Sequence, residues 1–299
     1  MSGHIVHILH HASRLSKDRG IMVCRHEEDG QEMVHELPIE DIRVVIIAAH
    51  GVSISPDIIV ALMEANAVIL HCDHSYKPIG ITCGVQRIVR TEAAYTQANR
   101  DMKFHDALWR KIISGKVMNQ ARVLEMNNRK AGYLRNEVEN GLPDEASCAR
   151  HYWQEFFLLF NLSYTVRHGE DDRGINTKLD YGYAVLGALV HRSIIAHGLS
   201  PIFGMHHSTR YKAHAMVYDL MEPWRPFVDS SLITFERKYT EDPNDIKPWA
   251  RHIAGTLAKI RVETPSQKLS VLDAIDVFVS GVARCYEGKT TRLLWIPKL

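Results

Sequence analysis

The chain has 299 residues, 45% of them hydrophobic, which is enough to bury the core of one large domain or two ordinary ones. No stretch approaches the roughly 20 consecutive apolar residues of a membrane helix, and the N-terminus does not resemble a signal peptide. We therefore expect a cytoplasmic protein with no membrane partner. Its five scattered cysteines are typical of reduced thiols.

The net charge of +1 hides an uneven distribution along the chain. Residues 1–83 carry 6 Lys and Arg against 11 Asp and Glu, whereas residues 84–136 carry 11 against 4. A basic segment within a near-neutral protein is typical of a surface that binds a polyanion. A solvated helical face would have the same composition, so both interpretations remain open.

The first 85 residues are predicted to be rich in β-strands. Asp29-Gly30 lies between two apolar runs and predicts a tight hairpin turn, and Ser55-Pro56-Asp57 predicts the start of a short helix. The segments with strand-like composition are GIMVCR, EMVHELP, IRVVIIAA, AVILHCD and IGITC.

Beyond Gly84 the apolar residues recur with helical periodicity, beginning with a long helix predicted from Ala93 to Ile113. The breaks predicted by glycine and proline are at Gly115, residues 141–143, residues 169–174 and residues 198–201. The expected fold class is a two-domain α+β protein. It would consist of a small N-terminal β-sandwich-like domain, residues 1–85, followed by a larger all-α domain, residues 86–299.

A carboxylate begins the helix predicted after residue 143. In helical register Glu145 shares a face with Cys148, Tyr152 and Phe156, so it would head a stripe that faces the core. Two structural interpretations compete with a functional one. Glu145 could compensate the helix dipole, or it could pair with a cation such as Arg150.

A second group of ionisable residues surrounds an apolar run. His206 and His207 precede the run, and Asp219 and Glu222, three positions apart, lie on one face of a helical turn. Burial of such groups costs free energy unless hydrogen bonds or a cation compensate them, and a metal ion is one such cation. Helix caps, a satisfied core imidazole or a salt bridge from Glu222 to Arg225 would also suffice.

Four motifs occur in a fixed order along the chain. They are EAxxARxYW from Glu145, NxxLDYGYAxL from Asn176, GMHH from Gly204 and DLMEPWRP from Asp219. Together they resemble the CRISPR-associated integrase family, the first-numbered Cas protein of spacer acquisition, over essentially the whole chain. The GMHH and DLMEPWRP motifs are similar to those of the subgroup found in type II systems. Each motif alone is weak, but the ordered set is specific.

The resemblance implies a site that combines acids with histidine. Glu145, His207 and Glu222 would be the catalytic residues and the ligands of a divalent ion, and His206 and Asp219 would support them. Mg²⁺ or Mn²⁺ is expected, although Zn²⁺ is compatible with the same ligand types. The implied reaction is attack of a DNA 3′-hydroxyl on a phosphodiester, which inserts a spacer, or hydrolysis when water attacks.

The resemblance also implies partners. These are double-stranded DNA (protospacer and CRISPR repeat), a second copy of the chain contacted partly through the β domain, and the small second-numbered Cas protein. Captured DNA cannot be recognised by base sequence, so phosphates should be the main contacts. The candidate DNA-binding residues are Arg87, Arg90, Arg110, Lys111, Arg150, Arg210, Lys212 and Arg225.

Two other functions fit parts of this pattern. One is a metal-dependent phosphohydrolase or nuclease of another class, which would act on a nucleotide or a structured nucleic acid without a protein partner. The other is a DNA-binding scaffold whose acidic residues are only structural.

Two histidine-rich segments receive no metal assignment. Residues 71–74, HCDH, follow a strand and lack a second ligand pair at finger-like spacing. His4, His7, His10 and His11 would not all share one face of a strand, so a solvated or dimer-facing strand is predicted there.

Overall fold

The computed structural model describes most of the chain. The described residues are 4–73, 78–85, 90–99, 101–141, 143–162, 167–169, 174–207, 214–239, 242 and 245–299. Among them, no helix combines the length and the apolar character needed to cross a bilayer.

Two four-stranded sheets occupy the N-terminal region. Sheet A has the order β1-β5-β7-β8, with β1 His4–Ile8, β5 Ile42–Ile47, β7 Val68–Cys72 and β8 Pro78–Thr82. Sheet B has the order β4-β3-β2-β6, with β2 Arg14–Asp18, β3 Ile21–Glu28, β4 Gln31–Pro38 and β6 Ser53–Ile54. In sheet A, β1, β5 and β7 are parallel and β8 is antiparallel.

The predicted hairpin is present between β3 and β4. Asp29 and Gly30 have φ angles of 52° and 76°, the left-handed values that a two-residue hairpin turn of this kind requires. The predicted short helix is also confirmed as α1, Pro56–Glu64. Its first residue is the proline, but the side chain of Ser55 makes no capping hydrogen bond.

Sheet A forms the middle layer of the molecule because both of its faces are buried. Val44 and Ile46 belong to the core that sheet A shares with the helices, whereas Ile42, Val45 and Ile47 belong to the core shared with sheet B and α1. From Val44 to Ile47 this alternation follows the two-residue period of a strand, whereas Ile42 lies before an irregularity in the pairing with β1. The observed fold is therefore mixed α+β, with an N-terminal β region packed on a helical part, and the domain boundary at residue 85 stays a prediction.

The helical part consists of nine described α-helices. They are α2 Thr91–Asn99, α3 Met102–Met126, α4 Gly132–Glu139, α5 Glu145–Leu158, α6 Ile175–Ala196, α7 Ala215–Met221, α8 Arg225–Glu236, α9 Ile246–Lys259 and α10 Val271–Gly288. One short antiparallel pair, β9 Arg261–Glu263 and β10 Lys268–Ser270, interrupts them. The prediction that this part is all-α was therefore wrong in that detail.

The predicted helix from Ala93 to Ile113 was wrong. Two helices share this segment, and Asp101 caps the second, because its carboxylate accepts hydrogen bonds from the amides of Lys103 and Phe104 at 3.1 and 3.3 Å. The break predicted at Gly115 was also wrong. A Cβ at this position would lie 2.3 Å from Cγ2 of Ile296, so the glycine allows the C-terminal segment to cross an uninterrupted α3.

The N-terminal histidines were predicted on a solvated or dimer-facing strand; His4 is exposed at the start of β1, but His7 packs inside the molecule, His10 and His11 lie beyond the strand, and a dimer contact stays a prediction. His7 packs edge-on against Tyr181 of α6, with ring centroids 5.9 Å apart, and its Nδ1 lies 3.3 Å from the tyrosine hydroxyl. His10 lies in the turn after β1 and stacks on His26 of β3 at 4.0 Å. These side chains therefore take part in packing between layers.

Candidate active site

Two acidic side chains from distant parts of the sequence meet at one lysine. Lys116 Nζ in α3 lies 2.8 Å from Oε1 of Glu145 and 2.5 Å from Oε2 of Glu222. Glu145 is the first residue of α5, and Glu222 begins the 3₁₀ turn that follows α7. The fold thus makes the two carboxylates share a single positive charge.

Glu222 is the more deeply placed of the two acids, with 6% of its side chain exposed. Its second oxygen, Oε1, accepts a hydrogen bond from Nε of Arg225 at 3.0 Å. Burial alone would raise the pKa of the Glu222 carboxyl, but Arg225 and Lys116 together lower it to about 2. Burial would lower the pKa of the Lys116 ammonium, and Glu222 and Glu145 outweigh this and raise it. Both groups therefore stay charged.

Asp219 holds the turn that carries the two histidines. This fully buried carboxylate accepts from the backbone amides of Met205 at 2.6 Å, His206 at 3.0 Å and His207 at 3.1 Å. Its Oδ1 also lies 2.6 Å from Nδ1 of His207. Gly204 is required nearby, because a Cβ there would come within 2.8 Å of Asp219 Oδ2. Because Asp219 engages Nδ1, Nε2 is the ring nitrogen of His207 that could bind a ligand.

His206 has a different environment from its neighbour. Its ring stacks on Trp109 of α3 with centroids 4.2 Å apart and planes only 1° from parallel. His207 meets the same indole edge-on at 6.0 Å. Trp109 therefore joins this turn to the helix that supplies Lys116.

The three predicted ligands do not form a compact group in this structure. Within the described part of the chain, the set of three His, Cys, Asp or Glu residues whose ligand atoms all lie within 4.8 Å of one another is His10, His26 and Glu28. Glu145 and Glu222 are brought together, but by Lys116. Because these two carboxylates already hold a cation between them, their donor set fits a divalent ion.

A cleft of about 910 Å³ opens beside the lysine, between sheet A and the helices. Its walls include Ile81 of β8 together with Lys116, Glu222, Arg167 and Arg225. Three of these side chains are basic, which suits a site that receives phosphate groups.

The base of the cleft is built on a buried carboxylate. Asp229 accepts hydrogen bonds from the hydroxyls of Tyr152 at 2.7 Å and Tyr183 at 2.5 Å. Burial raises the pKa of Asp229 to about 6, although both hydroxyls oppose the change. The Tyr183 ring lies 4.7 Å below the Arg225 guanidinium, so this network also fixes the arginine that holds Glu222.

The candidate DNA-binding residues have varied surroundings. Arg110, Lys111 and Arg150 are exposed, although Lys111 Nζ donates to the carbonyl of Thr291 at 2.7 Å. Arg90 pairs with Glu287 at 2.9 Å, and Arg225 is directed at Glu222. Arg87, Arg210 and Lys212 lie outside the described residues.

Lys116 is the site residue that sequence analysis missed, since it was counted only as part of the basic segment. A signal was available, because Lys116 follows Ile112 and Ile113 at helical spacing on a face that is buried. A lysine at such a position requires a buried anion. Asn119, on the same face, donates to the carbonyl of Pro223 at 2.9 Å and fixes the turn of Glu222 against α3.

Solved structures share this fold over nearly the entire chain. A casposase bound to integration product matches with a TM-score of 0.81 at 18% identity, covering 97% of this chain and 92% of that one. A complex titled Cas6-RT-Cas1–Cas2 matches with a TM-score of 0.73 at 16% identity, covering 99% of this chain and 36% of that one. These similarities define the class of fold, a mixed α+β architecture.

The family follows from sequence comparison. The model of the family described as CRISPR associated protein Cas1 matches residues 6–144 and 136–258, and the chain belongs to this family. A CRISPR-associated endonuclease Cas1 from Neisseria meningitidis serogroup C is 28% identical over 300 residues, covering 98% of this chain and 95% of that protein. The resemblance carried by the four ordered motifs is thereby confirmed.

Proposed function

We propose that this Cas1-family protein is a DNA endonuclease and integrase of CRISPR adaptation. It inserts spacer DNA into the repeat array by attack of a 3′-hydroxyl on a phosphodiester, and hydrolyses the phosphodiester when water is the nucleophile. Membership of the family, the endonuclease name of the Neisseria relative and the fold shared with an integrating casposase support this function.

The observation that carries the proposal is the pair of acids that shares Lys116. Glu145, Glu222 and Nε2 of His207 would hold the divalent ion, Mg²⁺ or Mn²⁺. When bound, the ion would stabilise the negative charge that develops on the scissile phosphate. Asp219 keeps His207 oriented through Nδ1, as ligand histidines generally require.

The chain's own cations have two tasks at this site. Without an ion, Lys116 lies between two carboxylates that would otherwise repel each other at close range, and Arg225 supplies the second positive charge through Glu222. With Glu145 and Glu222 engaged by an ion, the ammonium becomes available to a phosphate oxygen. Arg225 stays with Glu222 and fixes its orientation, because the guanidinium is held over the Tyr183 ring.

The proposed partners rest on the same family membership and structural neighbours. They are double-stranded DNA, of both protospacer and repeat, a second copy of the chain, and the small Cas2 protein named in one structural neighbour. Arg110, Lys111 and Arg150 are exposed and would contact phosphates, and the cytoplasm would be the compartment in which this DNA is bound.

A strand-transfer assay tests the function. Purified protein is mixed with a duplex bearing 3′-hydroxyl ends and a repeat-containing plasmid in Mn²⁺. Glu145→Gln and Glu222→Gln should each reduce joining about 100-fold or more, since each removes a carboxylate that would hold the ion opposite the negative charge of the transition state. Glu125→Gln, on the exposed side of α3, is the matched control and should join at the wild-type rate.

The same experiment separates the two alternatives. With a small phosphate ester added as substrate, a phosphohydrolase of another class would hydrolyse it and give no joined DNA product. A DNA-binding scaffold would bind the duplex equally well in chelator and give neither product nor hydrolysis.

A further inference from the structure

His10, His26 and Glu28 form a group in the N-terminal β region, outside the site described above. Their ligand atoms all lie within 4.8 Å of one another. The three residues come from two layers, because His10 follows β1 of sheet A, whereas His26 and Glu28 lie in β3 of sheet B. A shared ligand would therefore connect the two sheets.

The central histidine of this group is buried without compensation. The His26 side chain is 3% exposed, and within the described part of the chain its Nε2 has no hydrogen-bond partner. A buried polar nitrogen in this state costs free energy, which a ligand at the nitrogen would recover.

The separation between His26 and Glu28 suits two ligands of one ion. Nε2 of His26 and Oε2 of Glu28 are 3.7 Å apart, which is too long for a hydrogen bond. Two ligands at tetrahedral angles around Zn²⁺ are about 3.4 Å apart when each bond is about 2.1 Å. Only a small change in the Glu28 rotamer is needed, and this side chain is exposed.

His10, the third member of the group, must move further than Glu28 before its ring nitrogen can share an ion with His26. The His10 ring stacks on His26 with centroids 4.0 Å apart and planes 21° from parallel, so its lone pair does not yet converge with that of His26. His10 is half-exposed and lies in the turn between β1 and β2, so binding would require its ring to rotate out of the stack toward solvent. His35 stacks on His26 at 5.3 Å.

We propose that His10, His26 and Glu28 bind a zinc-type transition-metal ion that fastens sheet A to sheet B. Two imidazoles and one carboxylate are a donor set that Zn²⁺ uses, and they differ from the oxygen-rich sets that Mg²⁺ prefers. The partial exposure of His10 and Glu28 leaves the fourth position to water. The role is structural, so it does not depend on the function proposed for the cleft.

The test uses the full chain carrying Glu145→Gln and Glu222→Gln, so that the acids of the cleft do not contribute. Zn²⁺ binding is measured by calorimetry, and thermal unfolding is followed with and without Zn²⁺. We expect one Zn²⁺ per chain and a higher Tm in its presence. His10→Gln or Glu28→Gln should weaken Zn²⁺ binding about 100-fold or more and should abolish the Tm increase. A loss of this size exceeds that expected for a residue that only hydrogen-bonds a metal ligand.

These two positions are chosen because both side chains reach solvent, so the metal-free variants should unfold at the parent Tm. His50→Gln, which alters a histidine stacked on His11 instead, is the matched control and should bind Zn²⁺ like the parent. A visible absorption band of tetrahedral type on Co²⁺ addition, lost in both variants, would support the same ligands. Zn²⁺ affinity unchanged in His10→Gln and Glu28→Gln, or no Zn²⁺ bound by the parent, would overturn the proposal.

Discussion

Lys116 and Glu222 form an almost fully enclosed ion pair, with 2.5 Å between Nζ and Oε2 and exposed side-chain fractions of 12% and 6%. The pair joins the middle of the long helix α3 to the turn after α7. Since Lys116 also contacts Glu145 at 2.8 Å, one ammonium organises both acids of the candidate site. The lysine and a divalent ion would therefore compete for the same two carboxylates.

The first prediction concerns that competition. Lys116→Met should destabilise the protein in chelator by about 3 kcal/mol, because the buried Glu222 and the partly exposed Glu145 lose their shared cation. Mn²⁺ should then stabilise the variant more than it stabilises wild type, since the ion no longer displaces an ammonium. Urea unfolding with and without Mn²⁺ measures both effects. Lys103→Met, exposed on the same helix, is the control, and an equal Mn²⁺ response in Lys116→Met and wild type would contradict the competition.

The second prediction concerns the histidine turn. Asp219→Asn places an amide group among three backbone N–H donors and the His207 ring, so it should lose several acceptor interactions. We expect a loss of about 1–3 kcal/mol in unfolding free energy. Strand joining should fall more than DNA binding, which gel shift would show to be near normal. Asp106→Asn, on the exposed face of α3, should affect neither measurement.

The third prediction concerns phosphate contacts. Arg110→Gln should weaken duplex binding for all sequences alike and lower the slope of log K against log salt by about 0.9, the value for one released counterion. Fluorescence anisotropy at several salt concentrations provides the slope. Arg135→Gln is the comparison within the same basic segment, because Arg135 is already paired with Glu125. If the slope falls only in Arg135→Gln, the assignment of Arg110 is wrong.

The fourth prediction concerns acid stability. Burial lowers the pKa of His7 from 6.5 to about 4. Between pH 6.5 and pH 4 the His7 ring is therefore protonated in the unfolded chain and neutral in the native state. Stability from this residue is present above pH 6.5 and is lost as the pH falls toward 4. His7→Phe keeps the ring contact with Tyr181 and should remove up to about 3 kcal/mol of that pH dependence.

Urea unfolding of His7→Phe and wild type at pH 7 and pH 4.5 measures the difference. Taking the difference removes the contribution of Asp229, whose pKa of about 6 titrates in the same range with opposite sign. His4→Phe, at the exposed start of the same strand, should leave the wild-type pH dependence intact. The same pH dependence in His7→Phe and wild type would show that His7 does not carry this effect.

Local signals in the sequence were sufficient for much of the fold. The hairpin follows from Asp29-Gly30, because few other dipeptides accept two positive φ angles, and α1 follows from a proline at its first position. The long helix was misjudged because Gly115 was read as a helix breaker. Its role depends on Ile296, which crosses α3 from the far end of the chain, and no local pattern contains that contact.

The residues of the candidate site also divide into those that the sequence could indicate and those that only the folded structure brings together. The motifs around Glu145, His207 and Glu222 were visible because family resemblance marks them, and Asp219 was placed beside them by spacing. Lys116 was missed because its two partners are distant in sequence and only the packing of α3 brings them together. His10 was dismissed for a similar reason, since its neighbour His26 belongs to another sheet.

The most direct test of the account is a crystal structure of the protein grown with Mn²⁺ and recorded at the manganese absorption edge. The account predicts an anomalous peak between the carboxylates of Glu145 and Glu222, with His207 Nε2 as a further ligand and the Lys116 ammonium moved away. Lys116 still bridging both carboxylates, with no manganese within coordination distance of either acid, would contradict it.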